Sequence, residues 1–316
     1  MTKKNLKIDW QLSMTETSTH DFVNFVTPSK EDKEIRNKVA TSIEEVIKGV
    51  FPDCHVFVFG SCATGLNLPN SDIDLIVYQP DVSESRMITK VADAIVRQKK
   101  CKTIDVLKNT KVPLIKITDS EFGVNVDISF NRTNGVYCVK LVKQLLQMFP
   151  ELKPLMMVLK CFLKSRQLNE PYSGGVGSFL LTMMVTSFLQ RQYKLGNTNN
   201  LDLGKQLLDF FKLYGTEFNY QHVGISIRDG GFYYQKYKRG WEGRDERSYE
   251  RLSVENPQDP EVDIGGSAFN IKRVQRAFQH AYDTLIYNNS NSVSILKLII
   301  TSDPSELNSG WKKQQK

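Results

Sequence analysis

The sequence predicts an α+β protein in two parts, a small mixed sheet with helices followed by a mostly helical region. Three observations carry that prediction. Short β-branched runs fall between residues 55 and 130, long helical patterns begin near Tyr137, and no internal repeat or long linker interrupts the chain. With 316 residues, 40% of them hydrophobic, the chain is long enough for two separate cores.

The first element is an amphipathic helix over residues 29–50, where Ile35, Val39, Ile43 and Val46 recur at spacings of three and four. Strands follow at His55–Phe59, Ile73–Tyr78, Val112–Thr118 and Val124–Phe130, with a helix of roughly Ser83–Lys99 between the second and third. Further on, helices are expected at Tyr137–Met148, Leu152–Lys164, Ser178–Tyr193 and Leu201–Leu213. Pro150, Pro154, Pro171, Gly174, Gly175 and Gly177 punctuate them. Gly215–Gly266 reads as loops with a short hairpin, and Ala268–Tyr287 returns to helix.

Bulk properties exclude several classes. No apolar run approaches the roughly 20 residues of a membrane-spanning helix, and MTKKNLKIDWQLS lacks a signal core of about 7–15 apolar residues. An intracellular protein with no membrane partner is expected. The five cysteines form no C-x-x-C pair and the four histidines are dispersed, which argues against zinc catalysis and for reduced thiols. A net charge of +7 suits a polyanionic partner such as nucleic acid, and equally a basic enzyme that binds only nucleotides.

The chemistry is concentrated in FGSCATGLNLPNSDIDLIVY, residues 59–78. A strand ends at Gly60-Ser61, a loop follows, and the next strand opens with Asp72-Ile73-Asp74. Residues two apart on a strand share a face, so Asp72 and Asp74 point together while Ile73, Leu75 and Val77 face a core. In GVNVDISF, Asp127 shares a face with Asn125 and Ser129, opposite Val124, Val126 and Ile128. Clustered carboxylates repel unless a cation lies between them, and a hard divalent ion such as Mg²⁺, with Mn²⁺ the alternative, prefers oxygen ligands. Asp72, Asp74 and Asp127 are therefore the candidate metal ligands and catalytic residues, able to hold two ions about 3.5–4 Å apart. Gly60 and Ser61 would let a triphosphate approach the backbone closely.

A Gly-Ser pair, ten residues, Asp-x-Asp and a third strand-borne Asp resemble the signature of the DNA polymerase β-like nucleotidyltransferase superfamily. Within it, the chain resembles the non-canonical poly(A) polymerases of the nuclear TRAMP type. The likeness runs through VFGSCATGLNLPNSDIDLIV, VDISFNRTNGVYCVKLVKQLL, NEPYSGGVGSFLLTMMVTSFL, DFFKLYGTEFNY and SVENPQDPEVDIGGSAFNIKRVQRAF, nearly the whole chain. It implies a catalytic domain over residues 12–145 and a helical central domain formed by 1–11 and 146–316, with a nucleotide cleft between them.

The resemblance also implies further nucleotide contacts. Lys160 and Lys164, four apart on one helix, match lysines that contact the triphosphate; otherwise they form a solvated basic face. Ser178 and Phe179 match a serine and an aromatic at phosphate and base; alternatively they are a helix cap and a core residue. Asn131, Asn134 and Gly135 are read as ribose contacts, against an ordinary Asn-Gly turn. Glu255–Gly266 corresponds to the nucleotide-recognition loop and contributes Asn256 and Asp259. It departs from the family pattern: Asn256 stands at an acidic position, Val262 at an Asn or His position, and Gly266 where an arginine is common. Uridylyltransferases tend to carry His where Val262 stands, so ATP is the expected substrate. The Lys236–Arg251 stretch interleaves basic and aromatic residues, suiting either RNA or a solvated loop.

The resemblance thus points to an RNA 3′-adenylyltransferase that takes ATP and an RNA 3′ end. The implied partners are a zinc-knuckle RNA-binding protein and a DExH-box RNA helicase. A nuclear location is implied, with the cytoplasm the alternative. Competing readings are a terminal uridylyltransferase, a non-catalytic RNA-binding scaffold, and an enzyme that modifies a small molecule.

Overall fold

A computed structural model describes residues 22–110, 112–132, 134–196, 202–241, 250–287 and 295–300. They fall into two compact units, Val26–Gln144 and one built on Leu145–Ser302. The expected segments 1–11 and 301–316 lie outside the described residues.

The first unit begins with helix α1, Lys30–Val50, whose N-terminus is closed by a reciprocal capping box between Ser29 and Asp32. Strand β1 (His55–Phe59) leads into a five-residue helix, α2 (Gly60–Thr64), then β2 (Ile73–Tyr78) and helix α3 (Glu84–Arg97). Strands β3 (Cys101–Leu107), β4 (Leu114–Asp119) and β5 (Asn125–Phe130) complete one sheet in the order β1-β2-β5-β4-β3. Only β2 and β5 run parallel; the other pairs are antiparallel. Helices α1 and α3 cover one face, where Ile35, Val39, Ile43, Met87, Val91 and Ile95 pack against Ile73, Leu75, Val77, Val126 and Ile128. Burying these side chains supplies the main stabilisation, about 1.5–3 kcal/mol for each large one.

Two elements differ from the sequence expectation. Gly60–Thr64 forms a helical turn rather than a loop, closed by Gly65 in the left-handed region. Strand β3 was not expected. As an edge strand only partly covered, its CKTIDVL shows no clean alternation of buried and exposed residues, so the two-residue period is weak.

A buried arginine ties the first helix to the loop between α2 and β2. Arg36, 5% exposed, donates from Nη2 to the Pro69 carbonyl at 2.6 Å and from Nη1 to Cys62 Sγ at 3.6 Å. Cys62 Sγ in turn lies 3.4 Å from the Asp72 carbonyl, to which it donates. The chain entering β2 is thus held from behind.

In the second unit, α4 (Asn134–Met148), which begins in the first unit, is followed by α5 (Leu152–Lys164), α6 (Ser178–Lys194), α7 (Leu203–Lys212) and α8 (Ile271–Tyr287). Phe162, Phe210, Phe211 and Phe278 meet at centroid distances of 5.0–6.2 Å in its core. The stretch expected as loops with one short hairpin holds two, β6 (Val223–Ser226) with β7 (Phe232–Gln235) and β8 (Glu255–Asn256) with β9 (Asp259–Asp263). A parallel bridge from Ile225 to Val254 joins them. No described helix is long and apolar enough to cross a membrane.

Replacing Arg36 with Ala removes its hydrogen bonds to the Pro69 carbonyl and Cys62. A loss of about 1–3 kcal/mol of unfolding free energy is expected by urea denaturation; an unchanged midpoint would show that the loop is held by something else.

Candidate active site

The register of β2 and β5 brings two of the three aspartates together. Asp74 lies directly opposite Asp127 across the parallel ladder, and Asp72 immediately precedes β2. Their neighbours Ile73, Leu75, Val126 and Ile128 are all buried under α1 and α3, so side-chain alternation puts the carboxylates on the opposite face.

Gly60 makes the close approach on the β1 side. Its φ of +62° suits glycine, and a Cβ there would lie 2.1 Å from Asp74 Oδ2. The Gly60 backbone therefore sits directly against that carboxylate, with Ser61 next to it in the first turn of α2.

Asp127 is the electrostatically burdened member. Burial and the charge of Asp72 push its pKa up, opposed by Lys116 on the neighbouring strand. Lys116 faces Asp127 in the β4–β5 register, and its Nζ donates to Asp127 Oδ2 at 2.6 Å. Asp72 takes a different partner: Asn125 Nδ2 donates to its Oδ1 at 3.4 Å. A polar ladder continues across the sheet, since Thr118 Oγ1 donates to Asn125 Oδ1 at 3.1 Å and Thr103 Oγ1 to Thr118 Oγ1 at 2.9 Å. Among the described residues, no three His, Cys, Asp or Glu side chains form a complete metal-ligand group. The backbone sets the three aspartates near one another, while Lys116 and Asn125 engage two of the carboxylates.

Other predicted contacts fare differently. Asn131 has a φ of +52°, and its side chain accepts from Gln79 N–H at 2.8 Å and donates to the Gln79 carbonyl at 3.2 Å. Its amide thus fastens the end of β5 to the chain leaving β2, and a ribose contact is not needed to explain it. Asn134 and Gly135 open α4 rather than forming a turn. The Asn134 side chain lies outside the described residues. A Cβ on Gly135 would come within 2.8 Å of Ile76 and 3.0 Å of Phe59, so Gly135 serves close packing.

The remaining candidates belong to the second unit. Lys160 and Lys164 are half-buried near the end of α5, flanking the buried Cys161 in sequence. Burial pushes that thiol up to about 12 even though both lysines oppose the shift. Ser178 is exposed and Phe179 half-buried at the start of α6, where Gly177 rather than Ser178 is the cap. Asn256 and Asp259 form Asx turns, accepting from Gln258 N–H at 3.1 Å and Glu261 N–H at 3.3 Å. Val262 is exposed, and a Cβ at Gly266 would meet nothing within 4 Å.

Comparison with known proteins places the fold. The model for the central palm domain of a mitochondrial-like poly(A) RNA polymerase matches residues 16–147, and that for the Cid1 family poly A polymerase matches 202–262. Poly(A) RNA polymerase CID14 of Cryptococcus neoformans is 39% identical over 84% of this chain and 35% of its own length. The polymerase core of TRAMP, an RNA surveillance complex, superposes with a TM-score of 0.81 at 30% identity, covering 90% of this chain and 93% of that one. Inactive non-canonical poly(A) RNA polymerase protein Trf4-2 of Drosophila melanogaster is 33% identical over 86% of this chain and 68% of its own length. The chain belongs to the non-canonical poly(A) RNA polymerase family.

This non-canonical polymerase chain has the polymerase β-like nucleotidyltransferase fold, as its sequence predicted. It spans 35–46% of the length of the first curated relatives it matches. Sequence reasoning missed several residues that shape the site. Lys116 and Thr118 alternate on β4 with the buried Ile115 and Ile117, a polar face that could have been paired with Asp127. Arg36 gave no signal, because an arginine beside the apolar stripe of α1 reads as surface.

For Asp127, a raised carboxyl pKa means that the folded state binds its proton more tightly than the unfolded chain, so ionisation costs stability as pH rises. Asp127→Asn is therefore expected to melt at a higher temperature than the wild type at pH 7. The difference should shrink toward pH 4, as the wild-type carboxyl protonates. A variant that melted lower at pH 7 would contradict the stated balance between burial and Lys116.

Proposed function

We propose that the chain is a template-independent RNA 3′-adenylyltransferase. The carrying observation is the β2–β5 register, which sets Asp74 against Asp127 with Asp72 close enough to raise its neighbour's pKa. The three aspartates offer the hard oxygen donors that a divalent cation prefers, and such an ion would take the place of the Lys116 ammonium as the partner of Asp127. Divalent ions such as Mg²⁺ or Mn²⁺, when bound, supply activation of the RNA 3′-hydroxyl and stabilisation of the departing pyrophosphate.

This chain's own residues do the rest. Asp72, Asp74 and Asp127 hold the ions, and Gly60 and Ser61 admit the triphosphate against the backbone. Lys160, Lys164, Ser178 and Phe179, all in the second unit, are the residues that the family resemblance assigns to phosphate and base. The RNA 3′-oxygen forms a bond to the α-phosphorus of ATP, the bond to the β-phosphate oxygen breaks, and the hydroxyl proton passes to solvent. Positioning and charge neutralisation account for the acceleration, and no covalent intermediate is needed.

ATP is favoured over UTP because Val262, on the exposed face of β9, offers no polar group to a base. The TRAMP core, described as part of an RNA surveillance complex, supports a role in RNA processing or decay. The reading also includes, on the family resemblance, a nuclear location and a zinc-knuckle RNA-binding protein and DExH-box helicase as partners.

The deciding experiment incubates the protein with a short RNA, Mg²⁺ and each of the four NTPs. ATP should extend the RNA best, and Asp127→Ala should reduce extension by at least about a thousandfold. An Asp127→Ala variant that extends normally would remove the catalytic assignment, and a wild type inert with every NTP would favour the scaffold reading. Val262→His should move the UTP-to-ATP ratio toward UTP by about tenfold, the worth of one good hydrogen bond. No change in that ratio would place base choice elsewhere.

A further inference from the structure

We propose that the helical unit carries a second nucleotide-binding site, which takes one base-and-phosphate unit of single-stranded RNA and is formed by α6 and the β6–β7 hairpin. A cavity of about 270 Å³ opens there, lined by Gln190, Arg191, Lys194, Gly231, Phe232 and Tyr233 among others. Its size is close to the lower end of ordinary ligand pockets, about 300–1,000 Å³. None of these residues takes part in the reaction proposed above.

Three features of the lining match a nucleotide. The first is exposed aromatic surface: Phe232 and Tyr233, consecutive on β7 and so on opposite faces of it, remain 41% and 37% exposed. Exposed rings offer stacking surface to any base regardless of sequence. The second is positive charge, from exposed Arg191 and Lys194 on the last turns of α6. The Arg191 guanidinium lies 5.8 Å from the Tyr233 ring centroid, and Lys194 Nζ donates to the Gly231 carbonyl at 2.6 Å. Cation and ring are thus already side by side, as backbone phosphate and base require.

The third is a hydrogen-bond acceptor in the wall. Gln190, 7% exposed, spends its Nε2 on the Ile227 carbonyl at 2.8 Å, while its Oε1 is buried with no hydrogen-bond partner. A buried orphan acceptor is costly and calls for an explanation. Gly231, with φ +87°, backs onto that oxygen, and a Cβ there would come within 2.2 Å of it. Gly231 covers that oxygen, so an N–H group on a base edge would satisfy it only once the Gly231 backbone gives way. An acidic peptide would use the two cations but leave the rings and the acceptor unexplained.

The inference extends the proposed RNA reading to a surface away from the aspartates, and its test needs no turnover. Binding of a fluorescein-labelled 15-nucleotide oligo(A) to the whole chain would be followed by anisotropy in EDTA. Phe232→Ala and Arg191→Glu should each weaken binding by about fivefold or more, while Phe232→Tyr and Arg191→Lys retain it. Ultraviolet crosslinking of the wild type should attach RNA to the peptide containing Phe232 and Tyr233, which keeps the test valid if a variant fails to fold. Both disruptive variants binding within about twofold of wild type, with wild-type melting temperatures, would overturn the site. Absence of that crosslink would do so as well. An enzyme inert in extension could still show the binding loss, so the two readings fail separately.

Discussion

Two carboxylates facing each other across a pair of parallel strands are the constraint around which the first unit is arranged. Asp74 and Asp127 are ladder neighbours, so their backbones cannot move apart without breaking the β2–β5 pairing that centres the sheet. Parallel strands require a crossover, and α3, β3 and β4 supply it, which brings Lys116 back beside Asp127. The same crossover buries Val126 and Ile128 beneath the carboxylates. Hydrophobic packing on one face thereby fixes like charges on the other, and the ammonium group from β4 partly offsets their repulsion.

Much of this was legible because the physics is local. Alternation in DIDLIV and NVDISF separates acids from core residues within six positions, and both patterns hold in the strands observed. Spacings of three and four gave α1 to within one residue. What escaped depended on partners distant in sequence. Strand β3 lies at a sheet edge, and the Asn131 side chain acts on Gln79, 52 residues away. Arg36 reaches Pro69 and Cys62 only after α1 has docked. No window on the sequence contains both ends of such contacts. The two hairpins were partly hidden for another reason: strands of two to five residues are too short for a period to declare itself.

The second hairpin has an anchoring pattern with a consequence of its own. Glu255, 1% exposed, accepts from Arg239 at 2.6 Å, Arg228 at 3.5 Å and Ser226 Oγ at 3.0 Å, so it binds β8 to the hairpin before it. Asp263 accepts from the backbone N–H groups of Val254 and Gly265, at 2.9 and 2.8 Å. Gly265 itself leaves no room for a side chain. The segment is thus secured by residues at its two ends, while Asp259, Val262 and Gly266 between and beyond them bear little of that burden. Under the proposed reading those freer positions meet the base. On that reading, single substitutions at these positions change nucleotide preference while leaving the folding contacts of the segment intact.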